Sequence, residues 1–223
     1  MLSKAKQFIR EKIPFMLPPI KSVIGFTRKR LSKIHIRRLL RERDEIFLEL
    51  GGGERKGKGK WVTIDMTKNC DLFLDILKGL PFPDGSVSKI YSSHFFEHFS
   101  FKETQKILNE CFRVLAPGGT ISICVPNAKL YIEAYLNGKV LNHDVFFTGW
   151  EPAYNNTTKI DYVNYVGHLD GHHKYMFDEE NLIHILKAKG FVDVRTREFD
   201  LELDRKKRHH ESIYVEGRKK QVG

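Results

Sequence analysis

The chain has 223 residues, 41% of them hydrophobic and 12% aromatic, with a formal charge of +10. That is enough apolar mass for one large domain or a domain with an appendage, and it excludes a wholly disordered chain. The charge is uneven: residues 1–44 carry 13 of the 38 Lys and Arg but 3 of the 28 Asp and Glu, which leaves 25 of each for the remainder. A basic arm (1–44) on a formally neutral body (45–223) points to an anionic partner for the arm: acidic lipid headgroups, nucleic acid or an acidic protein. Cys70, Cys111 and Cys124 are scattered, odd in number and free of any C-x-x-C spacing, which suits a reduced, cytoplasmic setting. The apolar run IPFMLPPI at residues 13–20 is short and broken by Pro14, Pro18 and Pro19, so it does not read as a signal peptide. No stretch approaches the roughly 20 apolar residues of a membrane span.

In chain order, residues 2–13 and 22–43 read as two basic helical pieces separated by the prolines. The second has a ragged apolar stripe of Ile24, Leu31, Ile34, Leu39 and Leu40. It either packs on the domain edge or serves as an amphipathic membrane-surface or nucleic-acid segment. Short apolar runs follow at 45–50 (EIFLEL), 60–65 (KWVTID), 71–76 (DLFLDI) and 88–93 (SKIYSS), the signature of buried parallel strands. Ser100 and Glu103 have capping-box spacing and open a helix along Ile107, Leu108, Cys111, Phe112 and Leu115, ending at Pro117-Gly118-Gly119. TISICVP (120–126) is a fifth strand. Residues 127–175 are irregular and rich in aromatics, asparagine and histidine. Asp178 caps another helix, which Gly190 ends, and 191–199 with 211–217 read as a closing hairpin around the charged connection DRKKRHH. This is an α/β layered sheet.

Two stretches carry chemistry. LELGGGERKGKGKWVTID joins the first two strands. Its glycines let backbone approach a ligand at the carboxyl edge of the sheet, and Asp65 ends the next strand, where a carboxylate accepts from both hydroxyls of a ribose. A nicotinamide dinucleotide would fit those features too. The second stretch is His94-Phe95-Phe96-Glu97-His98, the H-x-x-E-H spacing of inverted zinc proteases. That chemistry needs a sustained helix, whereas here a strand runs up to His94 and a helix restarts at Ser100. A zinc metallopeptidase through His94, Glu97 and His98 is therefore set aside and no metal is assigned. The adjacent histidines of GHHKY are discounted as ligands because neighbours point in different directions.

The ordered series LELGGG, Asp65, Asp75 before LPFPDGS, IYSSHFFEHF and RVLAPGGTISICVP resembles the class I S-adenosylmethionine-dependent methyltransferases, and looks most like their type 11 group. The likeness is strong over 45–126, weaker over 172–191 and absent from the arm. It implies a Rossmann-like sheet, mostly parallel with a C-terminal antiparallel hairpin, and S-adenosylmethionine as cofactor. Glu49, Gly51 and Gly53 would form the first motif, around the amino-acid end of the cofactor. Asp65 would bind the ribose, Asp75 and the backbone of Ile76 would face the adenine, and Ser92, Ser93 and His94 would lie under the methionine portion. The sequence departs from the pattern at Arg55, where a third glycine is usual. The stretch from Gly53 to Lys60 is also too short for the first crossover helix, which is expected to be shortened or missing, with the helix at 28–43 covering that face.

The implied reaction is methyl transfer by in-line displacement, read as O-methylation of a small polar or glycan-type acceptor. His94 is the expected base, with Glu97 and His98 in support. Tyr131, Tyr135, Trp150, His172 and His173, in or next to the irregular 127–175 region, are the expected acceptor contacts. The arm would hold the enzyme peripherally at an anionic membrane, on the cytoplasmic side of the inner membrane. RNA methylation through the basic arm is the alternative, and nucleic acid is the less favoured partner because the body is neutral. A module that binds the cofactor without turnover is the remaining alternative.

Overall fold

A computed structural model describes residues 17–137 and 157–221 of the chain, with side chains from Thr27 onward. Helix α1 spans Leu17–Glu42. It starts within the proline stretch rather than after it. Pro18 and Pro19 fall in its first turn, where a missing N–H breaks no helical hydrogen bond. Of its expected apolar stripe Leu39 is buried in the main core while Leu31, Ile34 and Leu40 are exposed, and Ile36, outside that stripe, is buried beside Leu39.

Seven strands form one sheet among the described residues, in the order β3-β2-β1-β4-β5-β7-β6. They are β1 (Phe47–Leu50), β2 (Trp61–Asp65), β3 (Leu72–Phe73), β4 (Val87–Ser93), β5 (Leu115–Pro126), β6 (Phe191–Thr196) and β7 (Ser212–Lys219). Strands β1 to β5 pair in parallel, while β7 runs antiparallel to both β5 and β6. Strands β2, β4 and β5 each bury runs of consecutive residues, as strands covered on both faces do, while β1 alternates buried and half-buried positions. Leu48 lies in register with Val62 and Ile90, and all three are 2% exposed or less. Each such side chain contributes on the order of 1.5–3 kcal/mol by leaving water.

Helix α2 (Phe101–Val114) starts at the expected capping box: Ser100 Oγ accepts from the Glu103 amide, and the Glu103 carboxylate accepts from the Ser100 amide. It ends earlier than the sequence suggests, because the chain re-enters the sheet at Leu115. Residues 116–119 bulge between the Val87–Leu115 and Lys89–Thr120 pairs. The strand expected over 71–76 is shorter too. Asp75 accepts from the Leu77 amide at 3.2 Å and starts a 3₁₀ turn, Ile76–Lys78, that ends the extended run. The remaining α-helices among the described residues are α3 (Ala128–Leu136), α4 (Lys159–Gly167) and α5 (Glu179–Ala188), the last capped by Asp178.

Residues 51–60, between β1 and β2, contain no helix. The loop is held instead by polar contacts. Asp71 Oδ2 accepts from the amides of Gly57 (2.8 Å) and Thr63 (3.0 Å), and Lys56 Nζ donates to the Cys70 carbonyl at 2.8 Å. Helix α1 lies alongside β3, where Ser32 Oγ accepts from the Phe73 amide at 2.9 Å. That bond satisfies a backbone donor at the sheet edge, which would otherwise be left unpaired.

Candidate active site

Chain order reverses at β1: β2 lies on one side of it and β4 on the other. In open α/β sheets the ligand crevice opens at the carboxyl ends of the strands flanking that reversal. Here those ends are Gly51 after β1 and His94 after β4, and both are conformationally unusual. Gly51 has φ +72° and His94 has φ +50°. A left-handed histidine is uncommon, and strained backbone of this kind concentrates at functional sites.

Asp65, at the end of β2, ties the glycine loop to the neighbouring strand. Its Oδ2 accepts from the Gly53 amide at 2.9 Å, and its Oδ1 accepts from the amides of Met66 (2.6 Å) and Thr67 (3.0 Å). A carboxylate has about four acceptor sites, so capacity for a hydroxyl donor remains. The two glycines differ in use. A side chain on Gly51 would collide with the Phe95 ring, whose nearest carbon lies 2.3 Å from the added Cβ position, whereas Gly53 faces open space. The close approach at Gly51 is thus made by Phe95, a contact the sequence did not signal.

Glu49 points to the same edge and is ion-paired with Arg55. Arg55 therefore has a role of its own where the family pattern has glycine. Asp75 caps its 3₁₀ turn, lies 3.4 Å from Lys78 Nζ, and lines a cleft of about 280 Å³ walled by Leu74, Leu80 and Pro81, with Ile76 buried behind. Ser92 and Ser93 are buried at the end of β4, and the Ser92 hydroxyl has no hydrogen-bond partner among the described residues. Open space at Gly53, an acid on each of β1 and β2, and an orphaned hydroxyl on β4 suit a polar, nucleoside-bearing ligand lying across the edge.

The turn after β4 is built by distant segments. The His94 amide donates to the Cys124 carbonyl at 2.9 Å, and the Lys174 amide to the Glu97 carbonyl at 2.7 Å. His94 Nε2 lies 2.8 Å from Ser212 Oγ, and that hydroxyl lies 2.6 Å from the Arg208 carbonyl. A carbonyl only accepts, so the hydroxyl's single proton goes to Arg208. Nε2 of His94 must then be the donor toward Ser212, and its Nδ1 is left bare, 3.7 Å from Glu97 Oε1. Burial, with the Arg208 charge next in weight, holds His94 well below its ordinary pKa, so the ring is neutral. Glu97 is 2% exposed, neither carboxylate oxygen has a hydrogen-bond partner on another of the described residues, and burial pushes its carboxyl up to about 8.

Phe96–His98 is a single 3₁₀ turn and His94 lies outside it, so H-x-x-E-H does not lie on a sustained helix and the zinc-peptidase geometry is absent. His98 Nδ1 lies 2.9 Å from the His172 carbonyl, and His173 Nδ1 lies 2.9 Å from the Val166 carbonyl. The histidine discounted in GHHKY thus returns beside Glu97 and His98. Among the other expected acceptor contacts, Tyr131 is buried and hydrogen-bonded to Glu211, Tyr135 is 44% exposed, and His172 is exposed. Trp150 lies outside the described residues.

The sheet order, the antiparallel strand second from the edge, the glycine turn at the chain reversal and the acid ending β2 define a Rossmann-like class I methyltransferase domain. A family model described as a methyltransferase domain matches residues 60–123. Solved structures with a related layout include a SAM-dependent methyltransferase from Archaeoglobus fulgidus, at 14% identity over 87% of this chain and 98% of that one, TM-score 0.48. Another, from Methanosarcina mazei, is 18% identical over 81% of this chain and 95% of that one, TM-score 0.49. No curated protein matches the chain. The match over residues 60–123 supports a class I S-adenosylmethionine-dependent methyltransferase with S-adenosylmethionine as its cofactor. No helix among the described residues is long and apolar enough to cross a membrane.

Proposed function

We propose that this methyltransferase modifies an oxygen atom of a small polar or glycan-type acceptor, with His94 taking the proton. The observation that carries the reading is the bare Nδ1 of a neutral His94, held at the carboxyl end of β4 by Ser212 and facing Glu97. Bound S-adenosylmethionine supplies a sulfonium methyl open to in-line displacement by the acceptor oxygen. Glu49, Gly53, Asp65 and Asp75 would hold the cofactor, and Ser92 would offer its hydroxyl beneath. The protein's contribution is orientation first and proton removal second. A proton taken at Nδ1 would face the Glu97 side chain, 3.7 Å away. Buried positions beside this turn, Tyr131 and Glu211 among them, would shape the acceptor side, with Tyr135 and His172 at its rim.

The test is transfer of labelled methyl from the cofactor into separate pools of sugars, polysaccharide and RNA. The reading expects label in the first two, and a loss of about 10²–10⁴-fold in His94→Gln with cofactor binding retained. Label confined to RNA, or an unchanged rate in His94→Gln, contradicts it.

RNA is kept as a second reading because of one feature. Arg28 and Arg38 of α1 face Lys56 and Lys68 across a cleft of about 530 Å³. Such a basic groove suits an anionic polymer, whether RNA or the headgroups of an anionic membrane. Steep loss of RNA binding with added salt would favour RNA. Salt-sensitive binding to anionic vesicles would favour placement at a membrane surface.

A further inference from the structure

The cluster at Glu97 is more than a support for the turn. The His172 and Val166 carbonyls can only accept, so Nδ1 of His98 and of His173 each carries its proton, and Nε2 of each ring is a bare lone pair. One nitrogen of each ring and a Glu97 carboxylate oxygen lie within 4.8 Å of one another, with Glu97 Oε1 and His98 Nε2 3.9 Å apart. Three electron-rich atoms face each other, and among the described residues no other residue donates a hydrogen bond to either Glu97 oxygen. Inside a protein that arrangement is costly unless a proton or a cation fills it.

We propose that Glu97, His98 and His173 form a binding site for a divalent transition metal of the zinc class, through one carboxylate oxygen and the two Nε2 atoms. Two histidines and a carboxylate are a recurrent zinc ligand set. Histidine ligands to metals characteristically donate their other nitrogen to a carbonyl or carboxylate, as both rings do here. Ligand atoms around tetrahedral zinc stand about 3.3 Å apart, so binding draws these side chains together by about 1 Å. The His98 side chain is 41% exposed, which gives an ion access from solvent. Three protein ligands leave a further coordination position open. The ligands come from the turn after β4 and from the segment before α5, so a bound ion would clasp two parts of the chain already joined by the Lys174–Glu97 backbone bond.

The site is tested on the full chain, stripped with chelator and then titrated separately with Co²⁺ and Zn²⁺. The expected result is saturation near about one ion per chain, with the visible absorption of four-coordinate cobalt and displacement of cobalt by zinc. His173→Ala and His98→Ala should each weaken binding by more than the roughly 10–100-fold that loss of a supporting group costs. His184→Ala, a change at an exposed histidine on α5, should leave binding unaltered. If His173→Ala fails to fold, the half-exposed His98→Ala and the cobalt spectrum of the unaltered chain give the same reading. Absence of cobalt absorption, wild-type affinity in both variants, or an equal loss in His184→Ala overturns the proposal.

Discussion

The Gly53 amide donates to Asp65 Oδ2 at 2.9 Å, joining the glycine loop after β1 to the acid that ends β2. One carboxylate thus shapes the loop at the carboxyl edge of the sheet. Asp65→Ala removes that bond, and a lost hydrogen bond to a charged group is worth about 1.5–3 kcal/mol. Cofactor affinity should fall by roughly 10–100-fold. Asp65→Asn, which keeps one acceptor, should fall less. Equal affinity in all three proteins, measured by equilibrium dialysis, would remove Asp65 from the site.

Gly51 and Phe95 are coupled by space. An alanine at Gly51 meets the Phe95 ring and must also adopt φ +72°. Gly51→Ala should destabilise the chain by about 1–3 kcal/mol. In a double-mutant cycle with Phe95→Leu, part of that cost should disappear, because the ring causes the collision while the backbone strain stays. Strict additivity in denaturant unfolding would show that the two residues do not touch.

Asp204 holds the segment that leads into β7. Arg197 donates to it through Nη1 (2.6 Å) and Nη2 (2.8 Å), and Tyr91 Oη donates to it at 2.9 Å. The Arg197 and Asp204 side chains are 12% and 1% exposed. Asp204→Ala leaves a guanidinium buried without its partner and should cost about 3–5 kcal/mol. The paired change Arg197→Met with Asp204→Leu should cost much less, since no charge is then stranded. A double variant as unstable as Asp204→Ala would contradict this account.

The α2 capping box sets an acid limit. Hydrogen bonds from the Ser100 amide and hydroxyl hold the Glu103 carboxyl below its ordinary value near 4.5. A carboxyl depressed on folding adds stability above its unfolded pKa and loses it as pH falls through the lower folded value. The difference in melting temperature between wild type and Glu103→Gln should therefore be present near neutrality and vanish on acidification below that range. A difference that grows in acid has the wrong sign. Ser100→Ala should cost about 1 kcal/mol near neutral pH.

Most of the sheet was legible because its strands are short, largely apolar runs. Leu48, Leu50, Ile64 and Ile90 are buried in them, and the glycine loop was visibly too short for a crossover helix. The boundaries were less legible where a side chain decides them, as when Asp75 folds back on Leu77 and cuts β3 to two residues. Within the site, Asp65 was readable because position alone places it at the edge. Phe95 over Gly51, Ser212 beside His94 and His173 beside Glu97 were not, because each contact joins segments that only the folded sheet brings together. Glu97 and His98 are neighbours in sequence, but His173, which the fold brings beside them, comes from the far end of the irregular region.

The central claim, that the edge between Gly51 and His94 binds S-adenosylmethionine, is tested most directly by calorimetric titration of the full chain with the cofactor and with its demethylated product. Saturable binding of both, abolished or greatly weakened in Asp65→Ala, is the predicted result. No binding heat from either compound with the folded wild-type chain, confirmed by dialysis with labelled cofactor, would contradict it.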